Sequence, residues 1–356
     1  MVHALGLAAR GLGNVWPNPA VGCVLVKNHR VVGRGWTQPG GRPHAEVMAL
    51  AQAGDAARGT TAYVTLEPCA HHGKTPPCAD ALIAAGVARV VTALADPDPR
   101  VSGQGHAMLR DAGIAVTEGV MTPEATRINA GFLKRVTKGL PFVTLKLAAS
   151  LDGRTATATG ESRWITGAGS RRRVHLMRMT HDAVMVGSGT ARADDPDLRV
   201  REMGATRQPV RIVVDSRLSH DPASRLGRTA RETQVWILHG PGAPADRRAA
   251  WAATGTQLFE VPTTKDGHLD LTFAMRTLAA EGLTRILCEG GATLAAALVQ
   301  TNLVDDLAVF SAGALIGAEG QAMLARLGTT ALADAPRPRL ILREACGDDA
   351  LTLWSF

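Results

Sequence analysis

The chain has 356 residues, 46% of them hydrophobic and 4% aromatic, and its formal net charge is +7. This length predicts two domains, and no apolar run is long enough to cross a bilayer, so we expect no membrane partner. The arginines are scattered and there is one tyrosine, whereas a nucleic-acid surface needs clustered basic and aromatic side chains, so we expect no nucleic acid. The start of the chain is too short and too weakly apolar for a signal peptide, which predicts a cytoplasmic protein.

Short β-rich runs alternate with helical segments through the first part of the chain. Strands are predicted at 20–27, 30–35, 61–66 and 89–95, and helices at 1–13, from His44 onward, at 78–85 and at 105–112. This alternation is typical of a layered α/β domain. Charge, glycine and proline cluster at 138–141, so we place the first domain at residues 1–139 and the second at 140–356.

The second domain begins a different α/β pattern. Strands are predicted at 142–149, 183–187, 210–215, 234–238, 285–289 and 307–311, with helices at 170–179 and 292–300. Gly187 and Gly189 are followed by Arg192 where a third glycine would stand, so the dinucleotide-binding fingerprint is not met. Gly290 and Gly291 lie between a strand and a helix, where they either let a phosphate approach the backbone or form a tight turn.

The first domain contains three candidate metal ligands, His44, Cys69 and Cys78. One imidazole and two thiolates suit zinc and leave a fourth position for water, whose pKa zinc lowers to about 7. Glu46 follows the histidine by two residues and would carry that water's protons. A His-x-Glu segment followed by Pro-Cys and a second cysteine is the signature of zinc deaminases, so the pattern predicts a hydrolytic zinc site.

The segment between the two cysteines departs from that signature. It has eight residues, 70–77, where the nucleic-acid deaminases have two. His71, His72 and Lys74 within it are donors that suit an anionic group on a small substrate. A nucleic-acid-editing deaminase would need the shorter gap and a stacking surface, and the sequence shows neither.

Other interpretations of the cysteines stay open at this point. Cys69 and Cys78 could form a disulfide, although the five cysteines are an odd number and no secretory leader precedes them. A closed structural zinc site with His71 or His72 as fourth ligand would not need Glu46, and it would suit a nucleotide-binding or regulatory protein without catalysis. The remaining cysteines lie in apolar runs and are expected in the core: Cys23, Cys288 and Cys346.

The motifs taken together resemble the family of bifunctional deaminase/reductases of riboflavin biosynthesis. In the first half the resemblance lies in residues 18–22, 44–46 and 68–78, and in the second half in 146–153, 162–166, 193–196, 213–217 and 289–291. It implies a cytidine-deaminase-like three-layer α/β/α domain followed by a dihydrofolate-reductase-like α/β domain.

The resemblance also implies two activities. The first domain would use Zn²⁺ to deaminate 2,5-diamino-6-ribosylamino-4(3H)-pyrimidinone 5′-phosphate. The second would use NADPH to reduce the product's ribosyl group to ribityl, giving 5-amino-6-ribitylamino-uracil 5′-phosphate. The expected partners are this phosphorylated pyrimidine and further copies of the chain, joined through the reductase domain.

Site residues follow from the same resemblance. In the deaminase domain Glu46 would be catalytic, Asn18 would hold the base or ribose, and His71 and Lys74 would hold the phosphate. The cofactor side of the reductase domain would comprise Ala148, Trp164, Thr190, Asp194, Ser216, Gly291, Ala292 and Thr293. Its substrate side would comprise Lys146, Ser162, Arg178, Leu198, Arg201 and Glu289.

One position of the sequence departs from the family's pattern, and the role of another stays open. Asp98 occupies a turn position where the family often has asparagine, and a carboxylate there accepts hydrogen bonds but does not donate them. Arg217 either contacts the 2′-phosphate of NADPH or is a solvated surface arginine.

Overall fold

The computed structural model describes residues 1–71, 76–98, 102–205 and 207–356. It forms two compact units, which are described separately. The first comprises Met1–Leu140 and Gly282–Thr284, and the second comprises Pro141–Glu281 and Arg285–Phe356. None of the helices in the described ranges combines the length and apolarity that crossing a bilayer requires.

The first unit is built on a five-stranded mixed sheet. Its strands are β1 (Gly22–Lys27), β2 (Arg30–Trp36), β3 (Thr61–Val64), β4 (Arg89–Thr92) and β5 (Ala115–Thr117). The spatial order is β2-β1-β3-β4-β5; β1 is antiparallel to both of its neighbours, and β3, β4 and β5 are parallel. The helices are α1 (Val2–Ala8), α2 (Ala45–Ala53), α3 (Cys78–Ala84), α4 (Gln104–Asp111) and α5 (Thr122–Lys138).

Helices cover both faces of this sheet because side chains alternate along β1. Val24 points to one face, where it packs with Leu7 of α1. Cys23 points to the other face and belongs to a core that includes Ala49 of α2 and Leu82 of α3. The three-layer α/β/α arrangement expected from the sequence is therefore confirmed.

Two glycines of β2 let α2 lie directly on the sheet. A Cβ atom on Gly33 would come within 2.2 Å of the Ala49 carbonyl oxygen, and one on Gly35 within 2.1 Å of the Ala45 oxygen. Only glycine permits this backbone approach. The close packing fixes the beginning of α2, where His44 and Glu46 lie.

The second unit is built on a nine-stranded sheet. Its strands are β6 (Phe142–Ser150), β8 (Ala183–Gly187), β9 (Val210–Val214), β10 (Val235–His239), β11 (Gln257–Glu260), β12 (Arg285–Gly290), β13 (Asp306–Ala312), β15 (Arg339–Cys346) and β16 (Asp349–Ser355). The spatial order is β11-β10-β9-β8-β12-β6-β13-β16-β15. The first seven strands in this order are parallel, and β16 and β15 form an antiparallel hairpin at one edge. A separate small ribbon pairs β7 (Arg154–Ala156) with β14 (Gln321–Ala322).

Helices connect the parallel strands of this sheet. They are α6 (Ala168–Met179), α7 (Ser188–Asp194), α8 (Arg225–Arg228), α9 (Ala245–Ala253), α10 (Leu271–Ala280) and α11 (Ala292–Gln300). Strands joined by helices in this way must be parallel, because the chain has to return to the same end of the sheet before it starts the next strand. The carboxyl ends of these strands therefore share one edge of the sheet.

The strands and helices predicted from the sequence are present, with small shifts at their ends. The N-terminal helix is shorter than expected, since α1 ends at Ala8 and a 3₁₀ turn, Ala9–Gly11, follows it. Sequence analysis missed α5 and the hairpin of β15 and β16. Most residues of β15 are exposed, including Leu340 and Leu342 at 38% each, so its sequence lacks the alternation by which strands are predicted.

Candidate active sites of the two units

The three predicted zinc ligands lie together in the first unit. The Nδ1 atom of His44 is 3.2 Å from the Sγ atom of Cys78 and 3.7 Å from that of Cys69, and the three ligand atoms lie within 4.8 Å of one another. Tetrahedral zinc, with nitrogen and sulfur ligands at their usual bond lengths, would separate nitrogen from sulfur by about 3.5 Å. The donor set and its spacing therefore fit one zinc ion.

Local structure fixes the position of each ligand. His44 has extended backbone angles and directly precedes α2, while Cys78 is the first residue of α3. The backbone N–H of Cys78 donates to the Cys69 sulfur over 3.3 Å. Hydrogen bonding from Cys78 holds the pKa of the Cys69 thiol down at about 4, although burial opposes this. Cys69 is therefore prepared to act as a thiolate.

The structure rules out one of the interpretations of the cysteines. All five are free, so a disulfide between Cys69 and Cys78 is wrong. His71 is exposed and does not belong to the metal-ligand group, and His72 lies outside the described residues. Within the part of the chain that the structure describes, the group thus consists of three protein ligands. The expectation of buried cysteines is confirmed for Cys23, Cys288 and Cys346.

The catalytic candidate Glu46 lies beside this group in the first turn of α2, with 3% of its surface exposed. Burial raises the pKa of its carboxyl group, and the nearby His44 acts in the opposite direction. Glu46 and His44 line a cavity of about 260 Å³ together with Cys69, Asn18 and His71. A buried carboxyl group next to a metal site and an open cavity can exchange protons with a molecule bound there. Lys74 lies outside the described residues.

A loop held by Glu67 forms another part of the cavity lining. Both carboxylate oxygens of Glu67 accept two backbone N–H groups each, at distances from 2.9 to 3.3 Å; the donors are Asp96, Gly103, Gly105 and His106. The N–H of Asp98 donates to the Asp96 carboxylate over 2.9 Å. Asp96 and Asp98 both line the cavity, so the turn that contains Asp98 contributes to the site as far as it is described; Pro99 lies outside the described residues.

In the second unit, the cofactor-side candidates lie at the carboxyl ends of neighbouring parallel strands. Thr190 follows β8, Ser216 follows β9, and Gly291 follows β12 and directly precedes α11. The hydroxyl of Thr190 donates to the Gly290 carbonyl over 3.3 Å. A Cβ atom on Gly291, whose φ is +96°, would lie 3.0 Å from that hydroxyl oxygen. Three further candidates share this edge of the sheet: Ala148 near the end of β6, and Ala292 and Thr293 in the first turn of α11.

A loop before α6 carries further predicted residues. Trp164 is 72% exposed, and the guanidinium of Arg171 lies 4.7 Å from its ring centroid. Arg163 pairs with the carboxylate of Asp194 at 3.5 Å, which joins this loop to the end of α7. Ser162 is exposed in the same loop. Arg171 therefore lies over one face of the Trp164 ring while most of this side chain is exposed, and the preceding residue, Arg163, contacts Asp194.

The substrate-side candidates Arg178 and Glu289 form a bidentate ion pair. Arg178 Nε lies 2.5 Å from Glu289 Oε1 and Nη2 lies 2.9 Å from Oε2, with the two side chains 12% and 11% exposed. Burial opposes ionisation of Glu289, but the charges of Arg178 and Lys146 prevail and lower its pKa to about 2. Burial lowers the pKa of Lys146, against the effect of Glu289. The three side chains therefore form one charged cluster.

The other two substrate-side candidates differ in exposure. Leu198 is 2% exposed and has a positive φ of 60°, so its side chain belongs to the core. Arg201 is exposed, and its backbone N–H donates to His175 Nδ1 over 3.3 Å. Burial lowers the pKa of His175, as do the charges of Arg178 and Arg201. The structure thus brings His175, which sequence analysis missed, next to the charged cluster.

Comparison with known proteins assigns the chain to a family. A model of the RibD C-terminal domain matches residues 141–351, and one of the cytidine and deoxycytidylate deaminase zinc-binding region matches residues 1–94. The riboflavin biosynthesis protein RibD of Escherichia coli is 48% identical over 95% of this chain and 93% of its own length. That of Haemophilus influenzae is 44% identical over 98% and 94%. The chain belongs to the RibD family.

Solved RibD structures share the whole fold. RibD of Acinetobacter baumannii (form 1) has a TM-score of 0.89 and 39% identity, covering 99% of this chain and 97% of its own. A diaminohydroxyphosphoribosylaminopyrimidine deaminase/5-amino-6-(5-phosphoribosylamino)uracil reductase from Thermotoga maritima has a TM-score of 0.87 and 33% identity, covering 100% and 97%. The fold class expected from the sequence is confirmed for both halves.

One wall of the deaminase cavity in this RibD-family chain comes from the helix that sequence analysis missed. Phe132, Arg135 and Val136 of α5 line the cavity at helical spacing. The side chain of Asn129 both accepts from and donates to the backbone of Ala20, at 3.0 and 3.1 Å, which fixes α5 beside β1. A proline in its first turn and a glycine after Lys138 were the sequence signals for this helix.

Proposed function

We propose that this chain catalyses two consecutive reactions of riboflavin biosynthesis. The first is hydrolytic deamination of 2,5-diamino-6-ribosylamino-4(3H)-pyrimidinone 5′-phosphate, and the second is NADPH-dependent reduction of the ribosyl group to ribityl. The arrangement of His44, Cys69 and Cys78 around one point, with buried Glu46 lining the same cavity, is the observation that carries the first reaction. Likeness to RibD proteins over nearly the full chain supports both.

In the deaminase unit, zinc held by His44, Cys69 and Cys78 would supply Lewis-acid activation of a water molecule. The carboxylate of Glu46 would take a proton from that water, whose oxygen bonds to the amino-bearing ring carbon. Glu46 would then pass this proton to the ring nitrogen and the water's second proton to the amino group, so that the C–N bond breaks and ammonia leaves. Burial suits Glu46 to this exchange, because the raised pKa makes its carboxyl group a better proton acceptor. The amide of Asn18 can both donate and accept, and so orient the pyrimidine ring.

In the reductase unit, bound NADPH would supply a hydride, and the protein would position the two reactants. Backbone N–H groups of Ala292 and Thr293 at the start of α11 favour the cofactor's phosphates, and Gly291 leaves room for them. Trp164 offers an exposed ring face beside the cofactor. The ammonium group of Lys146, held near Glu289, can hydrogen-bond the sugar of the substrate. These contacts align the nicotinamide with the ribosyl carbon.

We also propose that the protein acts in the cytoplasm as a homo-oligomer joined through the reductase unit, without nucleic acid. The proposed substrate is a phosphate ester, and such a charged molecule does not cross a bilayer unaided. This supports a cytoplasmic location for the enzyme. The exposed edge strand β15, with Leu340 and Leu342 outward, supports association of that unit. Light scattering coupled to size-exclusion chromatography tests this state, and a monomer at micromolar concentration would contradict it.

The test of catalysis measures the two reactions separately. Purified protein receives the diaminopyrimidine phosphate with and without NADPH, while ammonia release and NADPH oxidation are followed. Glu46→Gln should retain zinc, lose ammonia release, and still oxidise NADPH when the deaminated product is supplied. Glu124→Gln is the matched control, since Glu124 also lies in the first turn of a helix but is exposed. Near wild-type ammonia release by Glu46→Gln would contradict the proposed role of Glu46.

A further inference from the structure

A cationic side chain that the proposed mechanism does not use lines the deaminase cavity. Arg135 belongs to α5, whereas Glu46, His44 and Cys69 reach the same cavity from α2 and from the loop before α3. Its neighbours in the lining on α5 are the apolar Phe132 and Val136. Burial lowers the pKa of the Arg135 guanidinium, which shows that the group is partly withdrawn from water while its charge is retained.

We propose that Arg135 binds the phosphate group of the deaminase substrate in addition to His71 and Lys74, to which the resemblance assigns that group; His71 lines the same cavity. This inference rests on the proposed function. A guanidinium group presents two parallel N–H donors that match two phosphate oxygens, and this contact is stronger where apolar side chains such as Phe132 and Val136 exclude water. A phosphate held at this wall leaves the pyrimidine ring to extend through the cavity to the metal ligands.

The helix that carries Arg135 is rigidly placed. Asn129, six residues earlier, makes two hydrogen bonds to the backbone of Ala20, and Asn18 at the opposite end of the same short segment lines the cavity. The phosphate and ring contacts would therefore be held at a fixed separation. Such positioning accelerates deamination by presenting the amino-bearing carbon to the metal site in one orientation.

A second arginine of the cavity is less suited to this role. Arg42 precedes His44 by two residues, and its charge lowers the pKa of the His44 imidazole. A phosphate bound by Arg42 would lie close to the metal ligands and would occupy the space that the reacting carbon of the ring requires. Arg135 reaches the cavity from α5, which carries none of the metal ligands.

The test compares the substrate with its dephosphorylated form. Arg135→Gln should lower kcat/KM of ammonia release for the phosphate ester by about 10- to 100-fold, mainly through KM, because a charge-assisted pair of hydrogen bonds is lost. The dephosphorylated substrate should change by less than about 3-fold, since it never makes those bonds. Lys138→Gln is the matched control: it removes a charge from an exposed position on the same helix, and both rates should stay unchanged.

Two further measurements keep the test decisive if Arg135→Gln folds poorly. Arg135→Lys keeps the charge but not the paired donors, so its KM should rise for the ester alone and by less than in Arg135→Gln. Inorganic phosphate should inhibit the wild-type deaminase competitively and inhibit Arg135→Lys more weakly. Equal losses on both substrates, or unchanged kinetics in both variants, would overturn the role of Arg135. Absence of ammonia release by the wild type would instead overturn the proposed function.

Discussion

Gly41 and Asn18 approach each other so closely that a side chain added at position 41 would have to displace Asn18. A Cβ atom there would lie 1.9 Å from Asn18 Nδ2 and 2.9 Å from its Cβ, and Gly41 has a φ of +85°. Asn18 lines the deaminase cavity, so the glycine determines where its amide can lie. The role proposed for Asn18 thus depends on a residue that carries no functional group of its own.

Gly41→Ala should therefore impair deamination through the displacement of Asn18. We expect kcat/KM of ammonia release to fall by about 10-fold or more, as for loss of one or two hydrogen bonds to the substrate, while NADPH oxidation with the deaminated product is unchanged. Gly40→Ala is the matched control. Gly40 has a similar φ of +80°, but a Cβ there meets nothing within 4 Å, so the backbone strain is alike and Asn18 stays in place.

A double-mutant cycle distinguishes displacement of Asn18 from general disorder of the loop. If Gly41→Ala acts only through Asn18, it should add little further loss in an Asn18→Ala background. Additive losses in the steady-state kinetics would show that Gly41 affects the site by another route.

The carboxylate of Glu67 holds the loop that carries Asp96 and Asp98. Glu67→Gln replaces one acceptor oxygen by an NH₂ group, which leaves two of the four backbone N–H groups without an acceptor in a buried place. We expect the free energy of unfolding to fall by about 3 kcal/mol and the KM of deamination to rise as the loop moves. Urea unfolding and ammonia-release kinetics measure the two effects.

Glu118 provides the control for Glu67. It pairs with His106 and Arg110 of α4, but its side chain is 42% exposed. Glu118→Gln should cost less than Glu67→Gln and leave KM unchanged, because the pair with Arg110 is exposed and glutamine keeps an acceptor oxygen for the buried His106. Equal effects of the two substitutions would mean that Glu67 has no special role in holding the loop.

The metal site was predictable from sequence because its chemistry is local. His44 and Glu46 are two residues apart, and Cys69 and Cys78 flank one loop, so ligand type and spacing alone indicated zinc. The wall formed by α5 was not predictable in the same way. Arg135 reaches the cavity only because Asn129 holds the helix beside Ala20, a contact across 109 positions of the chain. Nothing in the local pattern of either segment indicates that pairing.

In the reductase unit, sequence analysis named candidate residues but did not predict their burial or their hydrogen-bond partners. Leu198 is a core residue, so any contact it makes with a ligand has to come from its backbone. The donors of Arg178 are engaged by Glu289, and a further N–H reaches the carbonyl of Arg199 at 2.9 Å. This pairing depends on the order of strands in the sheet, which places β12 beside β8, the strand that follows the helix of Arg178, and it is not encoded near either residue.

Removal of Arg178 should therefore destabilise the reductase unit as well as weaken substrate binding. Arg178→Ala leaves the buried Glu289 carboxylate without its main partner, and we expect a loss of about 3 to 5 kcal/mol in the free energy of unfolding. Ammonia release should persist wherever the protein is folded. Calorimetry, together with separate assays of the two reactions, tests this expectation.

The double variant Arg178→Met with Glu289→Gln serves as the reference, because it removes both charges of the pair. Its stability should exceed that of Arg178→Ala, while reduction remains impaired. If Arg178→Ala unfolded at the wild-type temperature, the ion pair would have no structural role, and loss of reduction would then report on substrate binding alone.

His181 should make the stability of the reductase unit depend on pH. Its Nδ1 lies 2.6 Å from the Met177 carbonyl oxygen and its Nε2 lies 2.9 Å from the Thr144 hydroxyl, so the neutral ring satisfies both contacts, donating one hydrogen bond and accepting the other. Burial lowers the pKa of this imidazole from 6.5 to about 3, and the nearby Arg285 acts in the same direction. Protonation therefore favours the unfolded chain.

The sign of the effect follows from proton binding in the two states. Between pH 6.5 and about 3 the unfolded chain holds a proton on His181 that the folded protein does not, so stability falls as pH falls, by up to about 1.4 kcal/mol per pH unit. His181→Asn removes this contribution while keeping a group that can donate and accept. We expect urea unfolding between pH 6.5 and 5, above the range where ordinary carboxylates titrate, to show a shallower pH dependence for the variant. Identical slopes would mean that His181 is protonated in the folded protein. Both of its ring nitrogens would then donate hydrogen bonds, and the Thr144 hydroxyl could accept one of them only by rotating its own hydrogen away.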